Sequence, residues 1–348
     1  MGAYYINGGN RIQGESRING GKNAILPILA SVVLNKGISI IHDCPAISDT
    51  YISIEILKAM GCKVNFDGHT IIVDSSSASN CSIPEKPVRE MRSSIIFLGG
   101  VLGRFRQVEI SYPGGCELGA RPIDLHLKAL RQMGTEIREE HGFIYGRAPQ
   151  IIGTRINLDF PSVGATENIM LTAVLAQGET VISNAAKEPE IIDLQNFLNQ
   201  MGAKIKGAGL DTIVIQGVKE LHDVEYRVMP DRIVAGTLLV AAAITGGEIM
   251  LDNVVPEHMI PITAKLVETG CYVREWADKM YLKAPAAIKP VSIRTHPHPG
   301  FPDCFTGTYR EIIFILLLKS SHHKLVPNKR LNFFKNLVNT PKTQQQTV

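Results

Sequence analysis

Residues 189–217, PEIIDLQNFLNQMGAKIKGAGLDTIVIQG, decide the fold, because a helix, a stop and a hairpin follow one another within them. Ile191, Leu194 and Leu198 recur at i, i+3 and i+7, which is one face of an amphipathic helix. Pro189 suits the first helical turn, where a missing N–H costs nothing, and Gly202 suits a left-handed C-terminal cap. Behind that stop, AKIKG and DTIVIQG are two short strand-like runs joined across 207–210, the pattern of a hairpin.

The same stop occurs four times along the chain, at Met60-Gly61, Met133-Gly134, Met201-Gly202 and Thr269-Gly270. The glycines are 73, 68 and 68 residues apart, too far for a solenoid repeat and suited to a small α/β unit. Ile123, Leu127 and Leu130 mark the helix before the second stop, with Pro122 in its first turn. CKVNF and HTIIVDS repeat the hairpin around Asp67-Gly68. Ahead of these helices run NAILPILASVVL then GISIIHD, RSSIIFLGGVLG then QVEISY, ATENIMLTAVLA then GETVISN, and DRIVAGTLLVAAAIT then GEIMLDN. The unit is therefore helix, strand, loop, helix, strand, strand, and the fold class is α/β with repeated units of about 70 residues. A segment such as LLVAAAIT is apolar all round and is expected to be buried.

The loop of the second unit, YPGGCELGARPID at 112–124, is the most glycine-rich of the four. Gly114 and Gly115 allow close backbone approach to a ligand, and Arg121 supplies a permanent cation five residues after Cys116. A free cysteine is often just a small core side chain, but glycine flanks and a nearby arginine are the surroundings that activate a thiol. Cys44, Cys62, Cys81, Cys271 and Cys304 form no C-x-x-C pair and no zinc spacing, so they read as structural thiols of a reducing compartment.

Equivalent positions at the start of each unit's first helix carry Lys22, Arg92 and Arg232, while the third unit offers Ser162, Val163 and Gly164. Helix N-termini present unpaired N–H groups and partial positive charge, so a cation or a small-residue turn there makes an anion cradle and implies a phosphorylated substrate. Solvated basic side chains are the alternative, since cations are not favoured by the dipole at that end. Asn23 follows Lys22 and position 16 is serine, so the P-loop pattern fails.

In 348 residues the chain holds 36 Lys plus Arg against 33 Asp plus Glu, and a net charge of +3 gives no global case for nucleic acid. At 45% hydrophobic content it reads as globular, with length for two domains. Neither a signal peptide nor an apolar run of about 18 residues occurs, so the expectation is a cytoplasmic protein without membrane contact. No cofactor, no metal and no obligate protein partner is expected. His322-His323 reads as solvated, and LVNTPKTQQQTV reads as a polar tail.

With GGKNAILPILAS, MRSS, YPGGCELGARPIDLH, PSVGATENIM, NAAKEPEI and PDRIVAG in this order, the chain resembles the UDP-N-acetylglucosamine enolpyruvyltransferases over roughly residues 4–302. The resemblance implies an inside-out α/β barrel in two domains, each of three units, with the active site between them. Residues 21–229 would form a complete first domain and 1–20 plus 230–303 part of a second, with 304–348 a divergent tail, as after truncation or a frameshift.

The implied substrates are phosphoenolpyruvate and UDP-N-acetylglucosamine. Lys22 and Arg121 match positions that bind phosphoenolpyruvate, and Cys116 matches the acid alkylated by fosfomycin. Asn23, Arg92, Pro122, Ile123, Asp124 and Leu125, with Ser162, Val163 and Gly164, match the nucleotide-sugar contacts. Phe160 stands where some relatives carry a diphosphate-binding lysine. Asp303 matches the base, although Gly300-Phe301-Pro302-Asp303 lacks the threonine of the family motif, and the remaining phosphoenolpyruvate contacts find no counterpart. Impaired turnover, or a nucleotide-sugar-binding remnant, is the expectation for this chain.

Overall fold

A computed structural model describes residues 9–114 and 123–301. After β1 (Gln13–Arg17), a first stretch runs α1 (Lys22–Ser31), β2 (Ile38–His42), α2 (Ser48–Ala59), β3 (Lys63–Phe66) and β4 (Ile71–Asp74). The second runs α3 (Glu85–Glu90), a 3-10 turn (Arg92–Ile96), α4 (Phe97–Phe105), β5 (Gln107–Ser111), α5 (Asp124–Gln132), β6 (Glu136–Glu140) and β7 (Phe143–Arg147). The third runs β8 (Arg155–Asn157), α6 (Val163–Ala173), β9 (Glu179–Ser183), α7 (Pro189–Gln200), β10 (Lys204–Lys206), β11 (Thr212–Gln216) and β12 (Val224–Arg227). The fourth runs α8 (Arg232–Thr245), β13 (Glu248–Asp252), a 3-10 turn (Pro256–Met259), α9 (Ile260–Glu268), β14 (Tyr272–Glu275) and β15 (Lys279–Lys283).

All four glycine stops adopt positive φ, at 96°, 89°, 97° and 93° for Gly61, Gly134, Gly202 and Gly270. Behind each, the next N–H reaches back to close the same cap: Cys62 to Leu57 O at 3.0 Å, Thr135 to Leu130 O at 3.1 Å, Ala203 to Leu198 O at 3.0 Å and Cys271 to Leu266 O at 3.1 Å. This is the Schellman arrangement, which satisfies helix carbonyls while turning the chain into a hairpin.

The sheets are ordered β12-β2-β4-β3, β5-β7-β6, β10-β11-β9-β8 and β1-β13-β15-β14. In each, the strand after the first helix pairs antiparallel with the far arm of the hairpin. A parallel neighbour comes from the segment ahead of a first helix: β8, just before α6, on β9, β12, just before α8, on β2, and β1, just before α1, on β13, with a single bridge from Ser82 to Glu109 on β5. Because β12 returns to β2, the third stretch is stitched to the first.

One core runs from Ala24 to Val228 and a second joins Ile18 to residues between Ala235 and Phe301. Inside the first, α4 approaches α1 and α6 through glycine. A Cβ on Gly99 would lie 2.5 Å from the Asn168 carbonyl oxygen, and one on Gly100 would lie 2.2 Å from that of Ala30. Helix α6 is buried from Ala165 to Ala173. By contrast α8, expected to be buried all round, is buried along one face only, and Val234 is 45% exposed. Its apolar residues pack on β13 and β15, while α1, α4 and α6 pack on one another.

The two cores meet where residues 18–21 cross 229–232. Gly21 N–H donates to Met229 O at 2.8 Å and Asp231 N–H donates to Asn19 O at 2.9 Å. Beside this crossing, Arg232 grips Glu190 through Nε–Oε1 at 2.9 Å and Nη2–Oε2 at 3.2 Å, both side chains buried. Arg232 is thus a partner of Glu190 and not the solvated cation that its place at a helix start allowed.

Gly270→Ala should lower stability by about 1–2 kcal/mol in urea unfolding, since a Cβ there meets nothing closer than Pro285 Cγ at 3.6 Å and the loss reports positive φ alone. Arg232→Met should cost about 3–5 kcal/mol by stranding the Glu190 carboxylate, and adding Glu190→Leu should recover most of it. Equal stability for the single and double variants would show that the pair is not coupled.

Candidate active site

A cavity of about 880 Å³ lies where the starts of α1, α6 and the 92–96 turn converge, and residues 295–298 form its far wall. Lys22, Asn23, Arg92, Ile123, Ser162, Val163 and Gly164 all line it. Asp124 and Leu125 do not line it: Asp124 opens α5, and Leu125 packs against the first core. Cys116, Arg121, Pro122 and Asp303 lie outside the described residues.

The local sequence explains the convergence. Gly21 and Asp231 each precede a helix, and Asp231 serves both. Its Oδ1 accepts N–H groups of Ile233 at 2.8 Å and Val234 at 3.0 Å, and its Oδ2 accepts the Lys22 N–H at 3.0 Å. The Lys22 ammonium turns to Asp49 Oδ2 at 2.8 Å, half-exposed at the cavity wall. At α6, Ser162 Oγ accepts the Ala165 N–H at 3.3 Å and its carbonyl accepts Thr166 N–H at 3.0 Å. The Val163 and Gly164 N–H groups lie in the turn before intrahelical bonding begins, so they remain available to a ligand. Arg92 begins a 3-10 turn and not the α-helix itself, because α4 starts only at Phe97.

Carboxylates also line the cavity, yet most are compensated. Asp49 is held by Lys22 and Glu190 by Arg232. Glu167 is fully buried, and desolvation, reinforced by Glu190 and Glu188, pushes its pKa well above the ordinary carboxylate value. Burial likewise raises Glu188, with Glu190 adding to it and Arg232 opposing. That shift favours the neutral form of Glu167 and so lessens the negative charge at the cavity. On the far wall, burial and then Arg232 lower the His298 pKa to about 4.

Sequence reasoning passed over Asp231, Asp49, the Glu190 pairing and His126. The last was legible: His126 follows Ile123 by three residues and precedes Leu130 by four, so it falls on the buried face of α5. It is 6% exposed and lines the cavity.

The EPSP synthase (3-phosphoshikimate 1-carboxyvinyltransferase) family model matches residues 6–312. A UDP-N-acetylglucosamine 1-carboxyvinyltransferase 2 of Caldanaerobacter subterraneus subsp. tengcongensis is 53% identical over 319 residues, which cover 91% of this chain and 75% of that protein. Its namesake from Carboxydothermus hydrogenoformans is 48% identical, over 87% of this chain and 73% of its own length. Among solved structures, the enolpyruvyl transferase NikO from Streptomyces tendae superimposes with a TM-score of 0.78 at 23% identity, covering 90% of this chain and 74% of NikO. EPSP synthase from Acinetobacter baumannii gives a TM-score of 0.63 at 20% identity, over 82% and 67% of the two chains. These two share the fold; the closer sequence relatives and the family match make the chain a member of the EPSP synthase family of transferases.

Proposed function

We propose that this cavity binds phosphoenolpyruvate and UDP-N-acetylglucosamine, and that the chain's chemistry is enolpyruvyl transfer to the sugar 3-hydroxyl. The observation that carries the reading is the convergence of Lys22, Asn23, Arg92 and the Ser162–Gly164 turn on one cavity, in a chain 53% identical to a protein named for that reaction. Such a transfer feeds peptidoglycan synthesis, and so cell shape and division, in the cytoplasm.

The sugar oxygen attacks the central carbon of phosphoenolpyruvate while the methylene takes a proton and a base takes the hydroxyl proton. Phosphate then leaves the tetrahedral intermediate, and a methyl proton is lost as the enol double bond returns. We assign the phosphate and carboxylate contacts to Lys22 and Arg121, the methylene proton to Cys116 and the base to Asp303. Asn23, Arg92, Pro122, Ile123, Asp124, Leu125 and the Ser162–Gly164 turn are assigned to the nucleotide sugar. We take residues 21–229 as the first domain of an inside-out α/β barrel, and 1–20 with 230–303 as part of the second.

A second reading, binding without efficient turnover, is favoured by two sequence departures: Phe160 in place of a diphosphate-binding lysine, and Pro302-Asp303 without the intervening threonine. Phosphate release from phosphoenolpyruvate separates the two. Transfer predicts release that requires UDP-N-acetylglucosamine and falls by at least ~100-fold in Lys22→Ala, the scale for losing one charge-stabilising group. Binding of the nucleotide sugar without release supports the second reading, and release driven by 3-phosphoshikimate instead would replace the acceptor. Fosfomycin should add one equivalent of mass to the wild-type chain and none to Cys116→Ser; unchanged labelling would remove Cys116 from its assigned role.

A further inference from the structure

Three left-handed residues stand at equivalent places in the repeat, Asp43 after β2, Asn184 after β9 and Asn253 after β13, with φ of 57°, 55° and 56°. Each follows a strand that has just paired with a parallel neighbour, and the backbone beyond that pair closes alike. Val228 N–H donates to His42 O at 3.2 Å, Leu158 N–H to Ser183 O at 3.1 Å and Ile18 N–H to Asp252 O at 2.9 Å. The side chains then differ. Asn184 Nδ2 donates to Leu158 O at 2.8 Å and Asn253 Nδ2 donates to Ile18 O at 2.6 Å, each amide fastening the incoming segment. An aspartate carboxylate has no proton to donate, so Asp43 does not repeat this bond to Val228 O.

Asp43 accepts instead. Its Oδ2 takes Arg17 Nη2 at 3.1 Å and Arg227 Nη1 at 2.5 Å. Arg17 closes β1 ahead of the 18–21 crossing, and Arg227 closes β12 ahead of the 229–232 crossing. The Asp43 carbonyl accepts the Gly20 N–H at 3.1 Å, and a Cβ on Gly20 would collide with that oxygen. Burial works against the charge of the carboxylate, but the hydrogen bonds from Arg227 and Arg17 outweigh it, and the pKa lies below the ordinary aspartate value. Asp43 is therefore ionised at neutral pH. Its side chain is 16% exposed against 51% and 64% for the two arginines, so this clamp sits at the surface of the junction and not in the cavity, which none of the three lines.

We propose that Asp43 is a positioning residue that couples the two chain crossings, one carboxylate oxygen holding an arginine from each. Residues 17–20 and 227–230 then shift as a unit and carry with them the Asp231 cap, which sets the start of α1 and so Lys22 at the cavity wall. The backbone bonds between the crossings fix their registry, and the clamp adds an interaction that salt weakens, because both arginines stand half in water. The coupling belongs to the free chain and stands apart from any reading of the cavity's ligand.

Amide hydrogen exchange followed by NMR on the full chain, without ligand, tests this at Gly20 and Val228, whose N–H groups bond Asp43 O and His42 O. Asp43→Asn should fold, because asparagine holds the same backbone at 184 and 253 and its amide can make the bond to Val228 O that the repeat makes elsewhere. In that variant, exchange at Gly20 and Val228 should both quicken by roughly three- to tenfold, the scale for two partly exposed ion pairs lost together. The amides of α6 should exchange as in the wild type. Arg17→Met should quicken Val228, on the other crossing, and Arg227→Met should quicken Gly20. At about 1 M NaCl, where the screening length falls to about 3 Å, wild-type exchange at both amides should approach that of Asp43→Asn. Unchanged exchange in Asp43→Asn, an equal rise in α6, each arginine acting on its own crossing only, or salt-independent exchange in the wild type would overturn the proposal.

Discussion

The arrangement depends on one carboxylate that caps two helices from two different cores. Asp231 takes the first N–H groups of α8 on one oxygen and the Lys22 N–H of α1 on the other. A capping bond is worth about 1 kcal/mol as stability. Here it also fixes the angle at which two bodies meet, because the helices it joins belong to separate cores. The backbone crossing at 18–21 and 229–232 and the Glu190–Arg232 pair lie within the same few residues, so the junction is held by backbone, cap and ion pair together. The cavity is the space this junction leaves beside it.

That position accounts for the charges. A site between two bodies gathers side chains from both, and the anion-binding role proposed for it requires that its carboxylates not compete. Three are handled by different physical means: Asp49 by contact with an ammonium, Glu190 by a forked guanidinium, and Glu167 by burial that raises its pKa. Pairing preserves a local dipole while cancelling net charge, whereas burial favours the uncharged form.

The sequence carried local signals well and long-range pairing poorly. Gly61, Gly134, Gly202 and Gly270 could be read as stops because positive φ is a property of a single residue, and their caps close within six residues. The left-handed residues after β2, β9 and β13, namely Asp43, Asn184 and Asn253, recur just as regularly, yet they escaped because Asp and Asn have many other uses. Pairing of β12 with β2 joins residues far apart in the chain, and no local pattern announces it. At the site, Lys22, Arg92 and the Ser162–Gly164 turn were legible from their recurrence. The partners that decide their electrostatics were not, since Asp49, Glu190 and Asp231 matter only through contacts made in three dimensions. The half-exposed α8 marks the same limit: composition reports how apolar a helix is, and packing decides how much of it is covered.

The glycines of α4 connect the deepest part of the core to the chemistry at its edge. Gly99 lets α4 come so close to α6 that its N–H reaches the Asn168 amide, and that bond turns the amide so that its nitrogen faces His126. A larger residue at 99 would push the helices apart and free the amide to rotate, after which either face of Asn168 could meet the ring. Orientation of the His126 ring thus follows from backbone approach in a buried helix pair, through one amide that has no exposed surface. Such a chain of constraints needs rigid packing at every step, and the interior supplies it because close-packed helices transmit a displacement instead of absorbing it. The cavity wall is therefore ordered from behind, by residues buried in the core.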